Sequence, residues 1–397
     1  MQNEMADIVT PERVTSGGAW NDQLLYFTSP SLTADDSQLV FLSDRTGHPN
    51  VFVRDLRNGD ERQVTTNSEG MLKSYVYFDG SPYRGLGKAS VSLDAQRGIV
   101  YWIQGRSILA ASIGGAGSAG NVRQVAVLPD DQMTAFTHVS GDGRLLCVPT
   151  VDARALGDDL IAAGKLEKTI DQRVQQEGLN SYLRIYDTDS GEQIACERVP
   201  SAWVTHVQFH PTDSSRILYN HEWPADCGVR RMWLWDGARH TRLRDANDGR
   251  GREDWVCHET WERGGDGVIY HGGVAGGPAF VGRVGPDGKG HAEVRLPDGW
   301  RQYGHFTTGA DGVLVTDGYY RPEGESPVGW GGQWLAILRV DWAGGRIDWQ
   351  PLCRHKSSWK SQDEHPHPVF DHAGRSVYFT SDREGKRAVY RLNEVQA

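Results

Sequence analysis

Near the C-terminus the chain reads Gln362-Asp-Glu-His365-Pro-His367. In an extended segment, residues two apart share a side, and Pro366 favours extension, so both imidazoles can reach one cation. Gln362 can add an amide oxygen, and His305, in Tyr303-Gly-His-Phe, can add a third imidazole from a neighbouring wall. Such a donor set suits Zn, Mn, Fe, Ni or Cu, with the amide oxygen leaning toward the harder ions. The competing reading of the same residues is hydrogen-bonded loop histidines. His258, in Trp255-Val-Cys-His-Glu-Thr-Trp, is either a general base titrating near neutrality or a satisfied histidine beneath a sheet. Arg231, in Arg230-Arg-Met-Trp-Leu-Trp, either is solvated or forks onto a carboxylate from the start of an inner strand. Asn220-His221-Glu-Trp-Pro leads into it and can shape the same wall.

These residues are far apart in sequence, so the fold must gather them. Ser31–Gly47 has a counterpart in Pro368–Gly385: a strand, an Asp/Gly turn, an alternating apolar strand and a Ser-Asp-Arg turn. Five more turns of Asp, Gly or Ser followed by a short β-rich run lie between them. They begin at Leu93, Ser140, His210, Arg263 and Gly309. Each turn takes residues that tolerate positive φ, and each following run alternates as a half-buried strand does. Seven such copies with almost no helical periodicity predict one all-β domain over residues 1–397, a seven-bladed β-propeller. In that architecture equivalent positions of successive blades converge on an axis. The exception is 153–180, charged and helix-prone, read as an insertion on one face that either walls a site or is a solvated excursion.

Composition narrows the function classes. Of 397 residues, 42 are basic and 52 acidic, a net charge of −10, which argues against nucleic acid as the partner. No run approaches the roughly 18 apolar residues of a membrane span. Met1–Glu12 lacks the basic and apolar regions of a secretory signal, so a cytoplasmic location is expected. Five scattered cysteines without a CxxC read as reduced thiols. Gly115–Gly120 fits GxGxxG, but a strand pattern follows it instead of a helix, so it reads as a hairpin loop. There is no GxSxG elbow for a serine hydrolase.

Over about Trp203–Leu392 the chain resembles the oligogalacturonate lyases of polysaccharide lyase family 22. The resemblance rests on Asn220-His-Glu-Trp-Pro with Arg231-Met-Trp-Leu, Cys257-His-Glu-Thr-Trp and Gly304-His-Phe. Arg354-His-Lys-Ser-Ser-Trp-Lys, Gln362-Asp-Glu-His-Pro-His-Pro and Phe379-Thr-Ser-Asp complete it. It implies a seven-bladed propeller with a divalent metal, typically manganese, on Gln362, His305, His365 and His367. It also implies His258 as Brønsted base and Arg231 as the substrate-facing arginine, with His221 and Tyr303 as further candidate substrate contacts. The implied reaction is β-elimination on a short anionic oligouronide, giving a 4,5-unsaturated uronate. Tyr303, solvent or His258 itself are the candidates to protonate the leaving oxygen. The family pattern has a histidine and an arginine before the first blade turn, whereas Gly18–Pro30 here has neither. A related uronate oligosaccharide therefore stands beside galacturonate as substrate. The competing class is a non-catalytic propeller, binding sugar or protein around a structural metal.

Overall fold

The computed structural model describes residues 7–77, 84–114, 122–157, 170, 173–222, 231–244, 254–274, 277–300, 304–309, 312–319 and 332–395. Seven antiparallel sheets, six of four strands and one of five, form the blades of a β-propeller. The first hairpin of each blade falls where the repeat predicts it. The same backbone hydrogen bond, first residue N–H to last residue C=O, closes Thr33–Gln38, Ser140–Leu145, His210–Arg216, Glu262–Gly267, Gly309–Val313 and Asp371–Ser376. In the seventh, Gly98 N–H returns to Asp94 C=O. Gly98, Gly143, Gly265, Gly312 and Gly374 have φ of 63, 71, 82, 73 and 68°, the left-handed region that a Cβ disfavours.

The chain divides into two compact units, Thr28–Ala246 and a second made of 1–27 with Asn247–Ala397. In Thr28–Ala246, consecutive blades bury apolar faces against each other. Leu183 and Ile185 of one sheet pack with Phe209, Ile217 and Tyr219 of the next. Of the expected insertion, Ala153–Ala155 is a 3₁₀ turn and 173–176 is helical, while 158–169 and 171–172 lie outside the described residues. The Gly115–Gly120 motif also lies outside them. The strands flanking it, Ser107–Ser112 and Arg123–Val127, pair antiparallel with each other, as a hairpin requires.

The second unit holds three complete blades. One is Asp254–Trp261, Val268–Val274, Ala279–Val284 and Ala292–Arg295; the next is Phe306–Thr308, Val313–Thr316, Trp334–Asp341 and Arg346–Arg354. Ile269, Val281, Phe306, Leu314 and Leu338 fill the space between them. The third blade takes Val369–Phe370, Val377–Ser381 and Ala388–Leu392 from the C-terminal end. Its outermost strand is Glu12–Arg13, paired with Arg391 and Tyr390. Phe379, Val377 and Tyr390 pack there against Val315, Leu335 and Ile337.

The described cysteines, Cys147, Cys196, Cys257 and Cys353, are not paired with one another. No helix among the described residues is long and apolar enough to cross a membrane.

Candidate metal and proton-transfer centre

His305 stands at the entry to the Phe306–Thr308 strand, and His365 and His367 lie on the segment entering Val369–Phe370 of the next blade. All three are buried, and their ligating atoms lie within 4.8 Å of one another. The imidazole centroids of His305 are 3.9 Å from His367 and 5.2 Å from His365. Gln362 opens a 3₁₀ turn, Gln362–Glu364, capped by Ser361, whose hydroxyl accepts the Asp363 N–H. Its Oε1 is buried and has no hydrogen-bond partner. A buried amide oxygen without a donor is costly unless a cation or water meets it. Three neutral imidazoles with one such oxygen fit a divalent metal.

The route by which His365 and His367 converge differs from simple strand alternation. His365 is extended, at φ −69° and ψ 137°. His367 instead takes φ 46°, a left-handed conformation rarely adopted outside glycine and short polar residues. The reason is a third residue. The buried carboxylate of Asp317 accepts the His367 N–H at Oδ2 (3.1 Å) and the His305 N–H at Oδ1, with His305 Nδ1 3.4 Å from Oδ2. One carboxylate thus positions both ligand-bearing segments. Burial pushes the Asp317 carboxyl above its ordinary range, partly offset by the His305 N–H.

His258 sits where its strand breaks register. The ladder to Val268–Val274 slips between Cys257 and Thr260, and His258 there takes φ 51°. Such a bulge re-aims a side chain. The ring centroid of His258 lies 4.3 Å from that of His305. Its Nδ1 is 2.6 Å from the Gly304 carbonyl and 3.0 Å from Nε2 of the fully buried His271. A carbonyl only accepts, so Nδ1 carries the proton in the neutral ring and Nε2 keeps the lone pair. Cys257, His258 and His271 also bring their ligating atoms within 4.8 Å of one another.

Aromatic rings floor the site. Phe27 lies against His258, His305 and His367, with centroids 5.5, 5.2 and 6.1 Å away, and Tyr26 is 5.4 Å from His367. Both belong to the segment that lacks the expected histidine and arginine. Trp359 closes on His365 at 4.3 Å.

The remaining expected site residues are Arg231 and His221, both of the Thr28–Ala246 unit, and Tyr303. Arg231 belongs to Thr28–Ala246 and is buried, its Nη2 donating to His206 Nδ1 (3.0 Å) and its Nη1 3.4 Å from Glu222 Oε1. The strand it precedes, Trp233–Trp235, is the third of its sheet, not an inner one. Alternating bulky residues report burial on both faces, which an inner and a third strand share. His221 is buried with its ring 5.2 Å from Trp233 and 5.8 Å from Tyr219, and burial holds its pKa down to about 4. Tyr303 lies outside the described residues. Sequence reasoning missed Asp317 and His271. The motif Thr316-Asp317-Gly318 directly follows a repeat strand and reads as one more turn, and His271 lies within an ordinary strand pattern.

Fold and site together define a β-propeller with a buried histidine cluster that could hold a metal ion. The family model of oligogalacturonate lyases matches residues 180–396, more than half of the sequence. The chain belongs to the oligogalacturonate lyase family. An oligogalacturonide lyase of Pectobacterium atrosepticum is 25% identical over 211 residues, covering 47% of this chain and 49% of that protein. An oligogalacturonate lyase of Dickeya dadantii is 26% identical over 208 residues, with the same coverage. The chain thus spans about half the length of these relatives. Among solved structures, an oligogalacturonate lyase from Vibrio parahaemolyticus superposes with a TM-score of 0.77 at 20% identity, covering 99% of this chain and 96% of its own. An oligogalacturonate lyase in complex with manganese gives 0.75 at 20%, covering 99% and 97%. These likenesses extend the shared propeller fold over nearly the whole chain.

Proposed function

We propose that this protein is a divalent-metal-dependent lyase that cleaves short oligogalacturonides by β-elimination. One observation carries the reading: a histidine with a defined lone pair, His258, adjoins a buried cluster of three imidazoles. A divalent cation held by Gln362, His305, His365 and His367, manganese in the first instance, would neutralise a uronate carboxylate and so ease loss of the neighbouring proton. Without that neutralisation, removing a proton beside an anion piles charge on charge.

His258 does the proton work. Its Nδ1–H is anchored on Gly304 C=O, which leaves Nε2 to accept the C5 proton of the uronate. The C5–H pair becomes the C4–C5 double bond as the C4–O bond breaks. The glycosidic oxygen leaves with its electron pair and takes up a proton, giving a 4,5-unsaturated uronate and a shortened chain. The imidazolium formed on His258 stays hydrogen-bonded to Gly304 C=O. Phe27, Tyr26 and Trp359 keep apolar surface around the imidazoles and limit water there. Arg231 is proposed as the cation that orients a substrate carboxylate, and its contacts with His206 and Glu222 restrain its head.

The test is direct. Protein incubated with oligogalacturonates and Mn²⁺ is followed by the ultraviolet absorbance of the conjugated product. Growth that EDTA abolishes supports the lyase; silence with tight metal retained overturns it in favour of a non-catalytic propeller. Turnover confined to other uronides in a substrate panel overturns the galacturonate assignment alone.

A further inference from the structure

A cleft of about 790 Å³ opens at one end of the Asp254–Arg295 blade. That volume lies within the range of small-ligand sites. Trp255, Trp300 and Tyr319 line it, with Arg295 at its rim and Gly273 and Gly277 in its walls. The glycine at 273 is required by the wall itself. It is the cross-strand partner of Trp255, and a Cβ there would come within 2.7 Å of the indole Nε1. Glycine therefore lets the indole lie against the neighbouring strand. Trp300 is fixed from behind by Trp349, an edge-to-face pair with centroids 5.5 Å apart.

The cleft shares a wall with the reaction centre. The ring of Trp255 meets His271 edge-on at 5.6 Å, and His271 in turn lies 3.0 Å from His258 Nδ1. Tyr319 lies two residues beyond Asp317, and Trp300 five residues before His305.

We propose that this cleft is a hexuronate subsite, holding a sugar unit beyond those flanking the cleaved bond. The proposal rests on the lyase reading of the centre beside it. Indole and phenol faces accept the C–H face of a pyranose while leaving its hydroxyls to water and backbone. Arg295 supplies the cation that distinguishes a uronate from a neutral sugar. It pairs at 2.6 Å with Asp298, and both are largely exposed. An exposed pair of this kind is weakly held, so the guanidinium can turn onto a substrate carboxylate.

The experiment compares oligogalacturonates of increasing length. In the wild type kcat/KM should step up once the chain is long enough to enter the cleft. Trp300→Ala and Arg295→Ala should each remove about tenfold from that step while leaving digalacturonate turnover unchanged. Arg295 is solvent-exposed, so its variant remains informative if Trp300→Ala fails to fold. Equal loss on every length, or no loss in Arg295→Ala, overturns the subsite. Wild-type silence on every uronide overturns the lyase reading instead. Fluorescence titration with trigalacturonate in EDTA then decides separately: saturable quenching that Arg295→Ala weakens about tenfold supports the subsite, and none removes it.

Discussion

Asp317 hydrogen-bonds His305 at both of that residue's nitrogen-bearing groups. Oδ1 takes the backbone N–H and Oδ2 lies 3.4 Å from the imidazole Nδ1. The same Oδ2 accepts the His367 N–H, so the carboxylate joins two blades at the histidine cluster. A carboxylate behind a ligand histidine fixes its tautomer and ring orientation. Asp317→Asn keeps the shape but places an amide N–H where an acceptor is needed. Manganese affinity should fall roughly 10–100-fold, read by calorimetric titration, with activity returning at high Mn²⁺. Unchanged affinity would remove Asp317 from this role.

His258→Ala should lower kcat by about 10²–10⁴-fold, the usual share of a positioned general base. Manganese content, measured by elemental analysis, should stay at the wild-type level. If turnover survives with metal bound, His258 is not the base.

Metal removal should show in stability as well as in rate. A ligand at 100 times its Kd stabilises the folded state by about 2.7 kcal/mol. Thermal scans should therefore show a rise in Tm with Mn²⁺ that EDTA reverses and that the His305→Ala/His367→Ala double variant lacks. An equal rise in that variant would place the cation somewhere else.

Acid should destabilise the fold through two buried histidines outside the proposed ligand set. His355 Nε2 donates to Gly332 C=O at 2.7 Å while Nδ1 accepts the Ser357 N–H at 2.9 Å. His138 Nδ1 likewise accepts the Phe209 N–H. Protonation sets N–H against N–H, and burial adds to this, holding both pKa values down to about 4 against 6.5 for the free side chain. A depressed histidine pKa gives stability that is complete above about 6.5 and is lost as pH falls toward 4. Urea midpoints should drop between pH 7 and pH 4.5, and His138→Gln should show a shallower drop. A flat profile in the wild type contradicts the neutral assignment.

The sequence made the repeat legible because its turns are local chemistry. A turn glycine one to three residues before a strand is visible without any partner. Gln362, His305, His365 and His367 were legible as a set from the HxH spacing and from the family resemblance, and the fold brings the three histidines together. What stayed hidden depends on cross-strand register. The bulge that turns His258 exists only because Cys257 and Thr260 pair out of step with Val268–Val274. Asp317 was hidden for a related reason. Its meaning lies in two N–H groups, one 12 and the other 50 positions away, and its own neighbours say only turn. The two-residue strand Glu12–Arg13 is too short to carry a pattern of its own.

That short strand makes the completion of one blade a long-range event. Glu12 pairs with Arg391 and Arg13 with Tyr390, the first two separated by 379 positions. The closure entropy of so long a loop has to be offset by contacts made elsewhere, so this edge is added only once the chain between them has folded.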